Sequence, residues 1–434
     1  MTSATSPRAR ATRGPGLADP AVRPGSPGSP GSPGRASRQT RHRIGFWLVA
    51  YAFTVTIAFS AVPTPLYVLY QARDGFGSFT LTLIFAAYAV GVVLSLLLAG
   101  HLSDWAGRRR MLAAAIAVNL VSGVLFLTWP AVPGLLVARF VSGISIGLLT
   151  ATATAHLTEL HRAARGSSGG PGGAGGRADA VSTAANLGGI GLGPLLAGLL
   201  AQYAPDPLHL SYLVAEGLML AGLLALTLVP ETVARPEVRP AYRPQRVSVP
   251  PVSRPAFWAA CSTGAVMFAV FGLFTSLAPS FLAGTLHERS HALAGITAFA
   301  VFGAAALSQI LLARVPLRRL LGIGIALLVI GLAGVTVAVW VASLALLLVG
   351  GVLAGAGAGA TFKGTVATVI SIAPEQARGE ALAGLFLAAY LGLAAPVIGL
   401  GVATQYLSAP VALLIFAAAL LAALLTVSRR LLRA

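Results

Sequence analysis

The sequence predicts an all-α integral membrane protein, with twelve transmembrane helices arranged as two pseudo-symmetric six-helix bundles. Three observations carry that expectation. Of 434 residues, 56% are hydrophobic and only 10% charged, whereas a soluble domain carries about 25% charged residues. After Arg43 the chain becomes a string of apolar blocks, each near the ~20 residues needed to cross a bilayer. A polar stretch, 230–255, with five arginines, splits these blocks six and six, and the two sets resemble each other weakly.

Residues 1–43 are rich in Pro, Gly, Ser and Arg, lack aromatics, and repeat Gly-Ser-Pro from Gly25 to Gly34. Such a segment cannot bury enough apolar surface to offset its ordering entropy, so a disordered basic tail is expected. It is too long and polar for the n-region of a signal peptide. The N-terminal bundle, 44–229, reads as spans near 46–70, 80–101, 110–129, 134–157, 179–202 and 208–229. The polar stretch 230–255 is the linker. The C-terminal bundle, 256–434, reads as spans near 256–281, 292–313, 317–340, 343–371, 380–403 and 409–428. Two uncharged runs there, 320–362 and 381–428, are too long for one helix each; turns at Trp340–Ser343 and Gln405–Pro410 divide them. Gly143 and Gly147 in span 4 correspond to Gly355 and Gly359 in span 10, and Gln202–Tyr203 to Gln405–Tyr406. The glycine-rich insertion around Ser167–Gly176 accounts for the difference between the two offsets. Internal repeats of this kind mark transporters, whose substrate site lies between the halves near the midplane.

The formal charge of +18 would by itself suggest a nucleic-acid binder. Its distribution points elsewhere. With the N-terminus cytoplasmic, 26 of the 30 basic residues fall on the tail, on the loops following spans 2, 4, 6, 8 and 10, and on the C-terminus. Arg73 and Arg289 fall outside, and Arg139 and Lys363 lie within spans. This is the positive-inside pattern. It places both termini in the cytoplasm of a multi-pass plasma-membrane protein, whose partner is the lipid bilayer and not nucleic acid. Cys261 is the single cysteine, so neither an intrachain disulfide nor a cysteine-based metal site is expected.

The strongest local motif joins spans 2 and 3: Gly100-His-Leu102-Ser-Asp104-Trp-Ala-Gly107-Arg108-Arg109-Arg110. Asp104 ends a helix, where the helix dipole disfavours an anion, so it needs a partner. Arg108 is one candidate and the N-terminus of span 11 near Gly379 is another. Gly107 suits the turn that ends the helix. The pattern resembles the loop 2–3 signature of the major facilitator superfamily, and the likeness covers about residues 44–430. The resemblance implies alternating access by two six-helix bundles, with the Gly100, Asp104, Gly107, Arg108 and Arg109 loop as a conformational latch. Trp105 stands where that family usually has a basic residue.

Arg139-Phe-Val-Ser-Gly143-x-x-x-Gly147 in span 4 is similar to the family's arginine motif. An arginine within a span is either functional or snorkels to the interface. Gly189-x-x-x-Gly193-Pro194-x-x-Ala197-Gly198 in span 5 resembles the motif that marks drug and metabolite antiporters within the superfamily. Small residues four apart let helices approach closely, and the proline bends the helix. Glu216 is the carboxylate well inside a span and hence the proton-carrier candidate, although the resemblance puts span 6 at the periphery, where a structural role fits equally. Lys363 in span 10 either meets an anionic group of the substrate or snorkels.

Other signals reduce to packing. The glycine runs Gly189–Gly193 and Gly355–Gly359 follow no strand, so they are not dinucleotide loops. No ATP-binding loop and no histidine set with metal spacing appears, and no cofactor or metal is expected. Phe53, Phe59, Tyr67, Phe271 and Phe274 are more readily core or lipid-facing than cavity-lining. The expected function is a monomeric secondary transporter rather than an enzyme. Its substrate is a small molecule, most readily an amphipathic or drug-like compound exported in exchange for protons. An importer of a small metabolite is the alternative, and Arg139 and Lys363 would suit an anionic one. A membrane enzyme or scaffold is the reading from another class; the His, Asp or Glu cluster that membrane enzymes place at one interface is not found.

Overall fold

The computed structural model describes residues 33–99, 102–165, 174–233, 250–288 and 290–431. Among the described residues there are helices and no strand, and twelve helical spans are long and apolar enough to cross a bilayer. They are span 1 (Ser37–Asp74), span 2 (Ser78–Ala99), span 3 (Arg108–Thr128), span 4 (Val132–Arg165), span 5 (Gly176–Tyr203) and span 6 (Pro207–Leu228). The second set is span 7 (Pro251–Ser276), span 8 (His291–Leu311), span 9 (Leu317–Trp340), span 10 (Leu344–Ile372), span 11 (Arg378–Tyr406) and span 12 (Ala409–Val427). The face on which span 1 begins and each even-numbered span ends is the basic face; the other is the far face.

Helix begins at Pro33, inside the expected tail. Residues 35–43 contain neither Gly nor Pro, and their Arg, Gln and Ala favour helix. Residues 1–32 lie outside the described residues, as do the insertion at 166–173 and residues 234–249 of the linker. Local chemistry sets the ends. Gly75, at φ 72°, closes span 1 in a left-handed C-cap. Ser290 and Ser343 cap spans 8 and 10 by accepting the amides of Leu293 and Leu346. The turn expected at Trp340–Ser343 contains Ala342 at φ 48°. Span 1 is interrupted at Val62, before Pro63, and span 5 contains a π-turn at Ala184–Gly188.

The outer surface is apolar: Val90, Val121, Leu213, Ile330 and Ile415 are each at least half exposed, as suits a protein solvated by lipid. Trp47 and Trp258 sit exposed near the basic face, and Trp129 and Trp340 near the far face. That is the aromatic belt of both interfaces.

The main packing contacts in the first half recur in the second six spans later. Spans 1 and 4, 2 and 4, 3 and 4, 1 and 5, and 1 and 6 touch; so do 7 and 10, 8 and 10, 9 and 10, 7 and 11, and 7 and 12. The glycines explain the closeness. A Cβ on Gly143 would strike the backbone at Tyr88 and Gly91 in span 2, and one on Gly355 would strike Val301 in span 8. The halves meet along two seams, span 2 with span 11 and span 5 with span 8, which exchange under the same pseudo-twofold relation.

Candidate functional site

Between the halves lies a cavity of about 270 Å³ whose two walls differ in chemistry. The first half contributes Ser60, Thr64, Arg139, Thr154, Asp179 and Asn186, with Phe85 and Tyr88 beside the arginine. The second half contributes Phe268, Phe271, Phe302, Phe362, Phe386 and Tyr390. These rings form one cluster: Phe268 lies 5.1 Å from Phe362, 5.3 Å from Tyr390 and 6.0 Å from Phe271, and Phe271 lies 5.0 Å from Phe302. The π-turn brings Asn186 and Leu187 to the cavity; such turns expose backbone groups that a regular helix would pair.

At the far-face end the halves are joined. Thr64 Oγ1 donates to the Thr275 carbonyl at 3.1 Å, and Ser280 Oγ donates to Gln71 Oε1 at 3.3 Å. The His291 amide donates to Gln202 Oε1 at 3.0 Å. A Cβ on Gly198 would lie 3.1 Å from the Gly295 Cα, and one on Gly401 would lie 3.2 Å from the Thr82 Cβ. Both seams therefore approach to near-backbone contact at this end.

Arg139 is 3% exposed, which excludes the snorkelling alternative. One guanidinium nitrogen donates to the Ser60 carbonyl, and the group lies 4.5 Å from the Tyr88 ring centroid and 5.6 Å from that of Phe85. Its Nε has no partner. Lys363 differs: Nζ donates to the Gln309 carbonyl at 2.6 Å, and Asp179 of the opposite half attracts its charge. Gln309 and Asp179 both line the cavity toward the basic face.

The loop between spans 2 and 3 is tied to its own half. Arg108 donates through Nε and Nη2 to Glu159 Oε1 of span 4 at 3.3 and 3.2 Å. The Glu231 carboxylate accepts the Arg108 and Arg109 amides at 2.9 and 3.1 Å. It thereby places an anion at the positive end of span 3. Gly107 has φ 100°, and a Cβ there would lie 2.7 Å from Glu231 Oε2. Glycine is needed on both counts.

A sequence profile described as Major Facilitator Superfamily matches residues 44–341. The chain belongs to the major facilitator superfamily. Among solved structures, that of the human organic anion transporter MFSD10 (TETRAN) matches with a TM-score of 0.62 at 18% identity. The match covers 91% of this chain and 100% of that one. Myo-inositol transporter 2 of Schizosaccharomyces pombe is 33% identical over 78 residues, 18% of this chain and 14% of the relative. As a member of the superfamily with twelve candidate spans, the chain is a multi-pass membrane protein.

Within this superfamily fold the expected site residues separate into groups. Gly107, Arg108 and Arg109 meet Glu159 and Glu231 at the basic face; Gly100 and the side chain of Asp104 lie outside the described residues. Arg139 lines the cavity, and Lys363 reaches its edge through Gln309. In span 5, Gly189 and Gly193 pack against the backbone of span 1 at Thr54 and Ala58. Gly198 packs against span 8, and the Pro194 carbonyl meets Gly295. Glu216 does not line the cavity; its carboxylate lies against Gly123 of span 3. Of the five aromatics, Phe271 lines the cavity, whereas Phe53, Phe59, Tyr67 and Phe274 are packed in the core.

Several site residues escaped the sequence reading. Asp179 stands at the edge of an apolar block and reads as an interfacial charge. Phe268, Phe302, Phe362 and Tyr390 sit at helical spacings that core residues share. Glu159 and Glu231 are isolated carboxylates at span ends, and only the neighbouring loop identifies them.

Proposed function

We propose that the protein is a secondary active transporter that moves a small amphipathic molecule by alternating access, exporting it in exchange for protons. The observation that carries this reading is the cavity with a polar wall on one half and an aromatic wall on the other. A ligand bound there touches both halves, so its binding is coupled to their relative movement. The joined far-face seams give this conformer a closed end, as one of two alternating states requires. The span 5 pattern supports exchange over import, through the resemblance it carries. Asp179, a cavity-lining carboxylate, is the better proton-carrier candidate by position, and Glu216 is too far to the periphery for that role.

The test is transport in proteoliposomes. Vesicles made acid inside are expected to accumulate an amphipathic substrate as protons leave, and vesicles without the gradient only to equilibrate. Asp179→Asn is expected to leave downhill exchange and abolish gradient-driven accumulation; Glu216→Gln is expected to keep both. Failure of every compound to respond to the gradient would overturn proton coupling, and turnover of a lipid without transport would overturn the transporter reading itself.

A further inference from the structure

We infer that the cavity selects an amphipathic anion, whose oxyanion group is taken by Arg139 and whose apolar body lies on the aromatic wall of the second half. This deepens the transport reading and rests on that cavity being the substrate site.

The two cations near the cavity are not equivalent. Lys363 already has a carbonyl acceptor at 2.6 Å and the charge of Asp179 opposite it. Arg139 also has a carbonyl acceptor, that of Ser60, and lies beside the Tyr67 hydroxyl, but both are neutral: its Nε is unpartnered, and among the described residues no carboxylate pairs with it. A buried charge without a counterion is destabilising, and contact with the Tyr88 and Phe85 rings offsets only part of that. The protein keeps this cation on the surface of a cavity, where an incoming carboxylate could pair with it. Guanidinium presents donors in a planar fork that matches a carboxylate.

The pseudo-twofold relation sharpens the point. Arg139 stands four residues before Gly143, and the corresponding position before Gly355 is Gly351. A Cβ on Gly351 would lie 3.1 Å from the Phe274 ring. Where one half holds a charge, the other holds a ring packed on glycine. Neither Gly351 nor Phe274 lines the cavity, but the second half offers no cation in place of Arg139, and its lining there is the rings of Phe268, Phe271 and Phe302. A volume of about 270 Å³, close to the lower limit of roughly 300 Å³ for ligand pockets, restricts it to a small molecule. Arg139 has no carboxylate partner among the described residues, whereas the carboxylate of Asp179, the acidic residue lining the cavity, has the Lys363 charge acting on it. The Arg139 end of the cavity therefore favours an anion over a cation.

The experiment is equilibrium binding to the purified full chain in detergent, by calorimetry at neutral pH, of three probes on one body. Para-butylbenzoate is anionic, para-butylbenzamide neutral and para-butylbenzylamine cationic. The benzoate is expected to bind at least about ten-fold more tightly than either, since a charged hydrogen bond is worth more than one decade of affinity. Arg139→Gln is expected to bring the benzoate to the level of the amide, and Arg139→Lys to restore part of the preference. Equal binding of benzoate and amide, tighter binding of the amine, a preference that survives in Arg139→Gln, or no binding of any probe would each overturn the inference. Should Arg139→Gln fail to fold, the ranking on the native protein decides alone. Because no gradient or flux enters the measurement, its failure is separable from failure of proton exchange.

Discussion

Arg108 and Arg109 open a helix whose first amides are held by Glu231, a carboxylate 123 and 122 residues further along the chain. The loop that resembles the family latch is therefore clamped to the end of span 6, while Arg108 reaches across to Glu159 in span 4. Three segments of the first half are bound at one face by charges that sequence spacing could not pair. Replacing Glu231 with Gln removes the anion from the helix end. It should lower stability by about 1 kcal/mol, seen as a small drop in the thermal unfolding midpoint in detergent; an unchanged midpoint would remove its capping role. Asp104→Asn is expected to cripple transport while membrane insertion persists, and full flux in that variant would end its part in the latch. The loop was legible because its residues are contiguous. Its partners were not, since a lone carboxylate at a span end carries no local pattern.

Span 5 shows what one helix can do with glycine spaced along it. Gly189 and Gly193 let it lie against the backbone of span 1, Gly198 brings it to span 8, and the π-turn presents Asn186 to the cavity. One element thus belongs to a bundle, to a seam and to the cavity. Gly193→Ala would drive a methyl group into the Ala58 carbonyl, which is backbone and cannot turn aside. Overpacking of this kind costs about 1–3 kcal/mol, so a clear fall in unfolding temperature is expected. Leu192→Ala, at a lipid-facing neighbour 40% exposed, is the control and should shift it little. If the two variants melted alike, close helix approach would not be what the glycine provides. The motif told where small residues recur along the span; which helix each one faced depended on rotation about the axis, and the π-turn alters that rotation midway.

At the scale of the molecule, the twelve spans were readable because charge and turn residues bracket each apolar run, and the repeat was readable in part. The structure extends it. Trp47 and Trp258 occupy equivalent places in spans 1 and 7, as do Trp129, which directly follows span 3, and Trp340, which ends span 9. Gly198 and Gly401 repeat on the two seams, against Gly295 and Thr82. The cavity was not readable, because an aromatic facing a void and one facing a neighbour obey the same period. If the halves rock, the seams must open at the far face. The pair Thr82→Cys and Gly401→Cys sits close to the separation a disulfide needs, and Cys261 is buried and should not interfere. Oxidation of that pair is expected to stop transport and reduction to restore it. Undiminished flux in the oxidised protein would mean that the seam never parts.

The unlike walls of the cavity also set a limit on how well the protein can hold what it carries. A ligand pinned to a charge on one bundle and to rings on the other is a strap across the very joint that has to swing. The firmer its grip on both sides, the more work is needed to part them, and the slower the cycle turns. Cargo and inhibitor would then differ only in degree: a compound that improves both attachments at once would cease to be carried and would jam the carrier shut.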